Sequence, residues 1–212
     1  MTVASSAHWQ REESIHERVA GMITGIILAS GFSRRMQTEK LLLDVDGTPM
    51  VERVIQAASA SQLNEVVLVY QHEDIKRAGD KYHAKTVFNE RADEGQSTSI
   101  KTGIKAASLE TDGFMFLVGD QPFLNAETIN TLIDAFNREH HSIIVPVYNG
   151  KRGNPVIFPA TLKDDLLALT GDRGGRVLIE TMAERVKLVT IEDERLGTDV
   201  DTEEDYERVR NR

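Results

Sequence analysis

One segment organises this chain: Ile26-Ile27-Leu28-Ala29-Ser30-Gly31-Phe32-Ser33-Arg34-Arg35-Met36-Gln37-Thr38-Glu39-Lys40. The apolar run over residues 22–29 predicts a buried strand. Gly31 follows at once and allows a tight turn in which a ligand can come close to the main chain. Arg34, Arg35 and Lys40 then supply rigid and movable cations that suit a polyphosphate. A strand that ends in a solvated basic loop explains the same residues more simply, so this segment alone leaves both interpretations open.

The length and composition predict one globular domain. The chain has 212 residues, enough for a sizeable α/β domain with its own core. We assign residues 21–212 to this domain and residues 1–20 to a polar N-terminal extension. No apolar run approaches the roughly 20 residues of a membrane helix, and the N-terminal residues lack the apolar core of a signal peptide. Together with the absence of cysteine, this fits a cytoplasmic protein that does not associate with membranes.

The charge balance restricts the partners. A net charge of −9 makes general attraction to nucleic acid unfavourable. An anionic substrate would be repelled by the whole protein, so it would need a local cationic patch, a bound metal ion, or both. The Arg/Lys cluster that directly follows a predicted buried strand is the one between Arg34 and Lys40.

The rest of the chain alternates apolar or β-branched runs with helical periods. Strands are predicted over 22–29, 65–70, 85–88, 114–118, 142–147, 154–158 and 186–191, and helices over 48–60, 74–78, 95–107, 126–140, 160–168, 175–182 and 202–210. Thr48 is expected to cap the first helix, with Pro49 at its first position. This alternation predicts a single three-layer α/β/α domain around a mostly parallel, Rossmann-like sheet.

Acidic residues follow the predicted strands at the edge where such sheets bind ligands. The loops after residues 29, 88, 118 and 191 should all open on this edge. Asp120 comes one glycine after the run 114–118, where a carboxylate can hold Mg²⁺ while the ion also binds substrate phosphates. Asp199 and Asp201 point the same way if their segment is extended, and one of them could add a second ligand. Helix capping and turn formation explain the same carboxylates without any metal.

Three glycine-containing elements could contact a ligand. Gly95-Gln96-Ser97-Thr98-Ser99 opens a predicted helix, whose amides suit a phosphate or a nucleobase edge; Ser/Thr capping is the simpler interpretation. Gly153-Asn154-Pro155 follows a predicted hairpin. Gly171-Asp172-Arg173-Gly174-Gly175-Arg176 combines glycines that allow close approach with an Arg that can hold a phosphate bidentately, although an exposed turn between two helices would look the same.

The segment between Ile26 and Lys40 resembles the signature Leu-Ala-Ala-Gly-x-Ser-x-Arg-Met-Gly-x-x-Lys of the MobA/MocA-like nucleotidyltransferases. The chain matches it at Leu28, Ala29, Gly31, Ser33, Arg35, Met36 and Lys40. Ser30 replaces the second Ala and Gln37 replaces the last Gly, so the chemistry is better defined than the choice of substrate. Five motifs in the family's order support the resemblance over almost the whole chain.

The resemblance implies a role for each motif. Arg35, Lys40 and Asp120 would be catalytic. The nucleotide would contact Leu28, Ala29, Ser30, Gly31, Ser33, Arg35, Lys40, Gly95, Gln96 and Ser99, with Gln96 and Ser99 at the base and ribose. The metal would be held by Asp120 with Asp201 or Asp199, because Asp199-Val200-Asp201 is similar to the family's late acidic element. Gly153, Asn154, Asp172 and Arg176 would bind the acceptor.

The reaction implied by the resemblance is Mg²⁺-dependent transfer of CMP from CTP to molybdopterin or its molybdenum-loaded form, with release of pyrophosphate. The product would serve a molybdenum hydroxylase such as xanthine dehydrogenase. Three alternatives remain: the same reaction with GTP, a sugar- or polyol-phosphate nucleotidyltransferase, and a molybdenum cofactor chaperone without catalysis. Ser30 lies nearer the Ala of the CTP branch than the Gly of the GTP branch, and the Gly171–Arg176 element argues against a sugar-phosphate acceptor.

Overall fold

A computed structural model describes residues 21–31 and 39–210 of the chain. The N-terminal extension over residues 1–20 therefore lies outside the described residues, as do Ser33, Arg34 and Arg35 of the basic loop. The strands are β1 (Ile23–Ala29), β2 (Asp44–Val45), β3 (Thr48–Pro49), β4 (Glu65–Tyr70), β5 (Lys85–Phe88), β6 (Gly113–Val118), β7 (Ile143–Tyr148), β8 (Lys151–Arg152), β9 (Val156–Pro159) and β10 (Val186–Ile191). The α-helices are α1 (Met50–Ser59), α2 (Glu73–Lys81), α3 (Gln96–Ala106), α4 (Ala126–Arg138), α5 (Lys163–Ala168), α6 (Arg176–Thr181) and α7 (Glu203–Arg210). Short 3-10 helices cover Lys40–Leu42, Ala92–Glu94, Ala160–Leu162, Ala183–Arg185 and Glu194–Gly197.

The main sheet has eight strands in the order β10-β7-β9-β6-β1-β4-β5, with β8 paired to β7. β9 runs antiparallel to both β6 and β7, and β8 is antiparallel to β7. The remaining neighbours are parallel. β9 is reversed because a hairpin-length connection joins it to β7, whereas a parallel neighbour needs a longer crossover. The predicted three-layer, mostly parallel fold is confirmed.

Two apolar clusters lie on opposite faces of this sheet. Successive residues of a strand point to opposite faces, and β1 shows this directly: Ile23 and Ile27 pack in one cluster and Ile26 in the other. Helices α1 and α4 cover the first face, and helices α3 and α5 cover the second. The strands are thus buried on both faces, which explains their nearly continuous apolar sequences.

The predicted helix start at Thr48 and Pro49 is wrong. Thr48 pairs with Val45 in the small β2–β3 ladder, and the Met50 amide donates to the Leu43 carbonyl at 3.0 Å. Pro49 is therefore the N-cap residue, and α1 begins at Met50. The pairing of β2 with β3 across the 46–47 turn already gives the backbone hydrogen-bond partners before α1. The helix itself has no side-chain cap. The second helix is also longer than predicted, at Glu73–Lys81.

The parallel register brings the strand ends together as expected. Ala29 of β1 is level with Tyr70, and Tyr70 is level with Phe88 of β5. Across the other side of β1, Leu28 is level with Val118 of β6. The loops that follow these strands consequently leave the sheet at one edge. In the part of the chain that the structure describes, no helix combines the length and apolar character needed to cross a bilayer.

Candidate active site

Lys40, Asp120 and Asp201 meet at the carboxyl edge of the sheet. The Lys40 Nζ atom donates to Asp120 Oδ2 at 2.7 Å and to Asp201 Oδ1 at 3.0 Å. A third hydrogen bond, 3.1 Å long, reaches the carbonyl of Val200. The side chains of Lys40 and Asp120 are 17% and 19% exposed, whereas Asp201 is 54% exposed. One cation therefore bridges two carboxylates, one sheltered and one facing solvent.

Backbone contacts hold this cluster in place. Asp120 follows β6 directly after Gly119, and its carbonyl accepts the Val200 amide at 3.0 Å. Val200 is fully buried in a small apolar cluster with Val45, Met50 and Tyr206. This packing anchors the segment between β10 and α7 against α1, and it turns Asp201 towards Lys40.

The carboxylates set the electrostatics of the lysine. Burial lowers the pKa of Lys40, but the charges and hydrogen bonds of Asp120 and Asp201 outweigh this effect and raise its pKa above the usual range. Lys40 is consequently a permanent cation at neutral pH. Its charge offsets the repulsion between two carboxylates that approach the same point.

Asp199 has a different environment from Asp201. Its Oδ1 atom accepts a hydrogen bond from Gln121 Nε2 at 2.9 Å, and Gln121 is itself buried. Burial, with a further contribution from the charges of Asp120 and Asp201, raises the pKa of Asp199 to about 6. Of the two carboxylates that the sequence left open as metal ligands, Asp201 is the one that converges with Asp120 on Lys40.

The raised pKa of Asp199 predicts a pH-dependent stability. The folded protein binds this proton more tightly than the unfolded chain, so the free energy of unfolding should fall as pH rises from 3.8 to about 6. The full shift would correspond to about 3 kcal/mol. Although protein atoms surround much of the carboxyl group, Asp199 is exposed as a residue, and solvent screening should leave about 1 kcal/mol. Asp199→Asn should remove this decline, making the variant more stable than the parent at pH 7 and equal to it near pH 4.

Urea unfolding at several pH values measures this effect. Asp193→Asn is the matched control, because Arg195 lowers the pKa of Asp193 and the same substitution should there reduce stability at neutral pH. Parallel stability curves for Asp199→Asn and the parent protein between pH 4 and pH 7 would contradict the prediction.

A buried polar network lies at the end of β1. The Ser30 and Ser99 hydroxyl groups lie 2.7 Å apart, and both are buried. Asn89 Nδ2 donates to Ser30, Thr98 and Ser99 at 3.0 to 3.2 Å. Ser99, predicted at the ribose, thus directs its hydroxyl into the protein, where it ties α3 to the end of β1. Asn89 was not anticipated, although a polar residue directly after β5 is a recognisable signal for this edge.

Removal of the Asn89 amide should destabilise the protein. Asn89 is 1% exposed, and Asn89→Leu would leave buried hydroxyl groups without their shared donor. We expect a loss of about 2–3 kcal/mol in the free energy of unfolding, measured by urea denaturation. Asn130→Leu is the control, because Asn130 makes one exposed hydrogen bond to the Gln62 amide. Equal stabilities of the two variants would contradict a structural role for the network.

The N-terminus of α3 is joined to the loop before α6. Asp172 Oδ1 accepts the Gln96 amide at 3.2 Å, and the Gly171 carbonyl accepts the Ser97 amide at 3.0 Å. Gly95 has a φ of 104°, and a Cβ there would lie 2.5 Å from Asp172 Oδ1. Asp172, predicted to bind the acceptor, therefore also caps the helix predicted to bind the nucleotide. These amides are already engaged by protein groups.

A cleft of about 780 Å³ runs along this edge. Six of the sequence-predicted residues line it: Leu28, Gln96, Gly153, Asn154, Asp172 and Arg176. The cleft has an apolar wall that includes Phe116 and Phe158. Ala29 and Ser30 are buried and are not among the residues that line the cleft, whereas Gly31 is exposed. Leu28 and Gln96, two of the residues predicted to contact the nucleotide, thus share one cavity with the predicted acceptor residues.

The predicted metal ligands Asp120 and Asp201 form a pair of carboxylates around Lys40. Within residues 21–31 and 39–210, no group of three or more His, Cys, Asp or Glu side chains is arranged to hold a metal ion. The Asp120 and Asp201 oxygens nevertheless approach one cationic atom within 3.0 Å. Three polar residues to which the sequence analysis gave no role also lie at these sites. Gln121 donates to Asp199, and Arg152 and Glu180 line the cleft.

A three-layer fold with a cleft at the carboxyl edge of its sheet is typical of α/β proteins that bind a small ligand at that edge. The chain belongs to the family of the MobA-like NTP transferase domain, whose model matches residues 25–186. This result confirms the resemblance drawn from the motifs.

Two curated relatives extend over nearly nine-tenths of the chain, and a third covers 60% of it. The purine catabolism protein PucB of Bacillus subtilis is 32% identical over 89% of this chain and 96% of its own length. A probable molybdenum cofactor guanylyltransferase of Natranaerobius thermophilus is 34% identical over 60% of this chain and 62% of its own length. A protein named nicotine blue oxidoreductase, from Paenarthrobacter nicotinovorans, is 27% identical over 88% of this chain and 96% of its own length.

Solved structures support the same fold. The crystal structure of Rv0371c from Mycobacterium tuberculosis H37Rv superimposes with a TM-score of 0.81 at 26% identity, covering 92% of this chain and all of that one. A complex of Rv0371c with manganese has a TM-score of 0.76 at 25% identity, covering 90% of this chain and 98% of that one.

Proposed function

We propose that this nucleotidyltransferase transfers CMP from CTP to molybdopterin or its molybdenum-loaded form and releases pyrophosphate. The observation that carries the proposal is the Lys40 cation between Asp120 and Asp201, close to a cleft at the same edge of the sheet. Val118 lines this cleft together with the predicted acceptor residues, and Asp120 follows Val118 by two residues. Lys40, Asp120 and Asp201 together carry one positive and two negative charges, so the cluster would become cationic only when the carboxylates bind a divalent ion. Lys40 and that ion together would then offset the repulsion of a triphosphate that is expected from a net charge of −9.

The chemistry needs no protein nucleophile. A terminal phosphate oxygen of the acceptor attacks the α-phosphorus of the nucleotide, the bond from this phosphorus to the bridging oxygen of the β-phosphate breaks, and pyrophosphate leaves with the electron pair. The protein contributes by holding the two substrates in line and by stabilising the negative charge that develops. We assign Lys40 to binding of the triphosphate. We assign Arg35 to the same role because of its place in the sequence motif.

The carboxylates suit a hard divalent cation. Asp120 and Asp201 already share one cation, so a Mg²⁺ ion could take the place of the Lys40 ammonium when phosphates draw that side chain away. When bound, the ion would neutralise charge on the phosphates. Two carboxylates are enough, because Mg²⁺ sites usually complete their shell with waters and substrate oxygens. The manganese found with Rv0371c supports an ion of this class.

Two observations bear on the nucleotide. Ser30, at the position where the sequence departs from both branches, is closer in size to the Ala of CTP-dependent enzymes, which favours CTP. The relative named as a probable guanylyltransferase favours GTP instead, and GTP is our second candidate. Because PucB is named for purine catabolism, we propose that the product serves a hydroxylase of the xanthine dehydrogenase type.

The test is pyrophosphate release from each of the four NTPs with molybdopterin and Mg²⁺. We expect release with CTP at least ten times faster than with the other nucleotides, and none without molybdopterin. Faster release with GTP would assign the guanylyltransferase reaction. Release with sugar or polyol phosphates in place of molybdopterin would indicate a sugar- or polyol-phosphate nucleotidyltransferase. Molybdopterin binding without any release would indicate a chaperone.

A further inference from the structure

The acceptor half of the cleft contains two arginines that share one carboxylate. Arg176 Nε donates to Glu180 Oε1 at 2.8 Å, and an Arg173 Nη atom lies 2.6 Å from Glu180 Oε2. Arg176 and Glu180 are one turn apart on α6, while Arg173 lies in the loop that precedes this helix. Each carboxylate oxygen thus has its own guanidinium, and all three side chains border the cleft.

A third arginine reaches the same cleft without a counter-ion. Arg152 on β8 lines the cavity. Among the residues that the structure describes, no carboxylate lies within ion-pair distance of its side chain, in contrast to Arg173 and Arg176. The adjacent Lys151 does not line the cavity, because successive residues of a strand point to opposite sides. Lys151 is therefore a matched control for Arg152, because it is cationic and adjacent in sequence but does not line the cavity.

An apolar surface lines the same cleft as these arginines. Phe116 and Phe158 pack edge to face with ring centroids 5.8 Å apart, and Val156 and Ile179 line the cavity beside them. Aromatic and aliphatic surfaces of this kind favour a flat ring system. The acceptor half thus combines an apolar wall with cationic groups, as a ring compound with an attached anionic group requires.

We propose that Glu180 occupies, in the free protein, the position of the acceptor's terminal phosphate, and that Arg152, Arg173 and Arg176 bind this phosphate when it displaces the carboxylate. The acceptor class is then a phosphate monoester of a flat ring compound. This inference rests on the proposed function for the identity of the acceptor, but its binding chemistry can be measured without transfer.

The chemistry of the two anions explains the exchange. A carboxylate has two oxygens and accepts the two arginines that hold it, whereas a phosphate monoester has three terminal oxygens and a higher charge, which can engage Arg152 as well. Arg173, Arg176 and Glu180 are well exposed, and exposed ion pairs are weak because water screens them. Displacing Glu180 therefore costs little. Before the acceptor binds, the Glu180 carboxylate holds the guanidinium groups of Arg173 and Arg176 close to each other.

Neopterin monophosphate and unphosphorylated neopterin are suitable probes, because both are fluorescent and differ by the phosphate. Binding is measured by fluorescence titration of the full chain without nucleotide or metal. We expect wild type to bind the phosphorylated probe at least tenfold more tightly than neopterin. Arg152→Met should weaken binding of the phosphorylated probe about tenfold, and Lys151→Met should change it less than twofold. Glu180→Gln should strengthen it three- to tenfold, because the competing charge is removed while the side-chain shape is kept.

Each contrary result overturns the inference. These results are equal binding of the two probes by wild type, equal effects of Arg152→Met and Lys151→Met, and weaker binding by Glu180→Gln. The last would mean that Glu180 only positions the arginines. Failure of the proposed function would look different, since phosphate-dependent binding through Arg152 would persist while no NTP released pyrophosphate. Transfer that proceeds normally in Arg152→Met would leave the proposed function intact and reject this inference.

Discussion

Replacing Asp120 with Asn is expected to abolish nucleotidyl transfer, lowering turnover by roughly 10³-fold or more. The amide keeps the shape of the side chain but removes the charge that, in our proposal, holds the divalent ion against the phosphates. Lys40 retains Asp201 as a partner at 3.0 Å, so the fold should change little. Pyrophosphate release measures the loss, and urea unfolding measures the stability.

Asp46→Asn is the matched control for this variant. Asp46 lies in the 46–47 turn with a φ of 51°, a conformation that Asn adopts readily, and its nearest cation is Arg53 at 3.7 Å. The same chemical change there should leave turnover within twofold of wild type. If Asp120→Asn turned over as fast as Asp46→Asn, Asp120 would have no role in holding the metal.

Replacing Lys40 with Ala is expected to lower turnover at least about 100-fold and to raise the KM for the nucleotide. The variant loses the side chain that forms ion pairs with both Asp120 and Asp201. Without this cation the two carboxylates should bind Mn²⁺ as tightly as wild type or more tightly, because the competing ammonium is gone. Electron paramagnetic resonance titration with Mn²⁺ and steady-state kinetics separate the two effects.

Lys76→Ala is the control for the lost ion pair. Lys76 on α2 pairs with Asp80 at 2.7 Å and does not line the cleft. The Lys76→Ala variant should therefore have the same turnover, KM and affinity for Mn²⁺ as wild type. Normal turnover in Lys40→Ala would contradict its assignment to the triphosphate. Weaker Mn²⁺ binding in that variant would show that Lys40 organises the carboxylates instead of competing with the ion.

Much of the fold could be predicted because it follows from local patterns. The alternation of apolar runs with helical periods is a property of neighbouring residues, and it led to the three-layer architecture. The failure at Thr48 shows the limit of local rules. Its sequence is typical of a helix cap, but the pairing of Thr48 with Val45 decides the backbone there.

The sequence by itself determined that Lys40, Asp120 and the 199–201 segment would lie near one another, because parallel strands end at a common edge. Only the tertiary structure decided how they pair. Lys40 is separated along the chain by 80 residues from Asp120 and by 161 residues from Asp201, and no local propensity relates them. The buried position of Val200 turns Asp201 towards Lys40 and leaves Asp199 to Gln121. Side-chain direction at such a site depends on packing between distant elements, which no sequence period encodes.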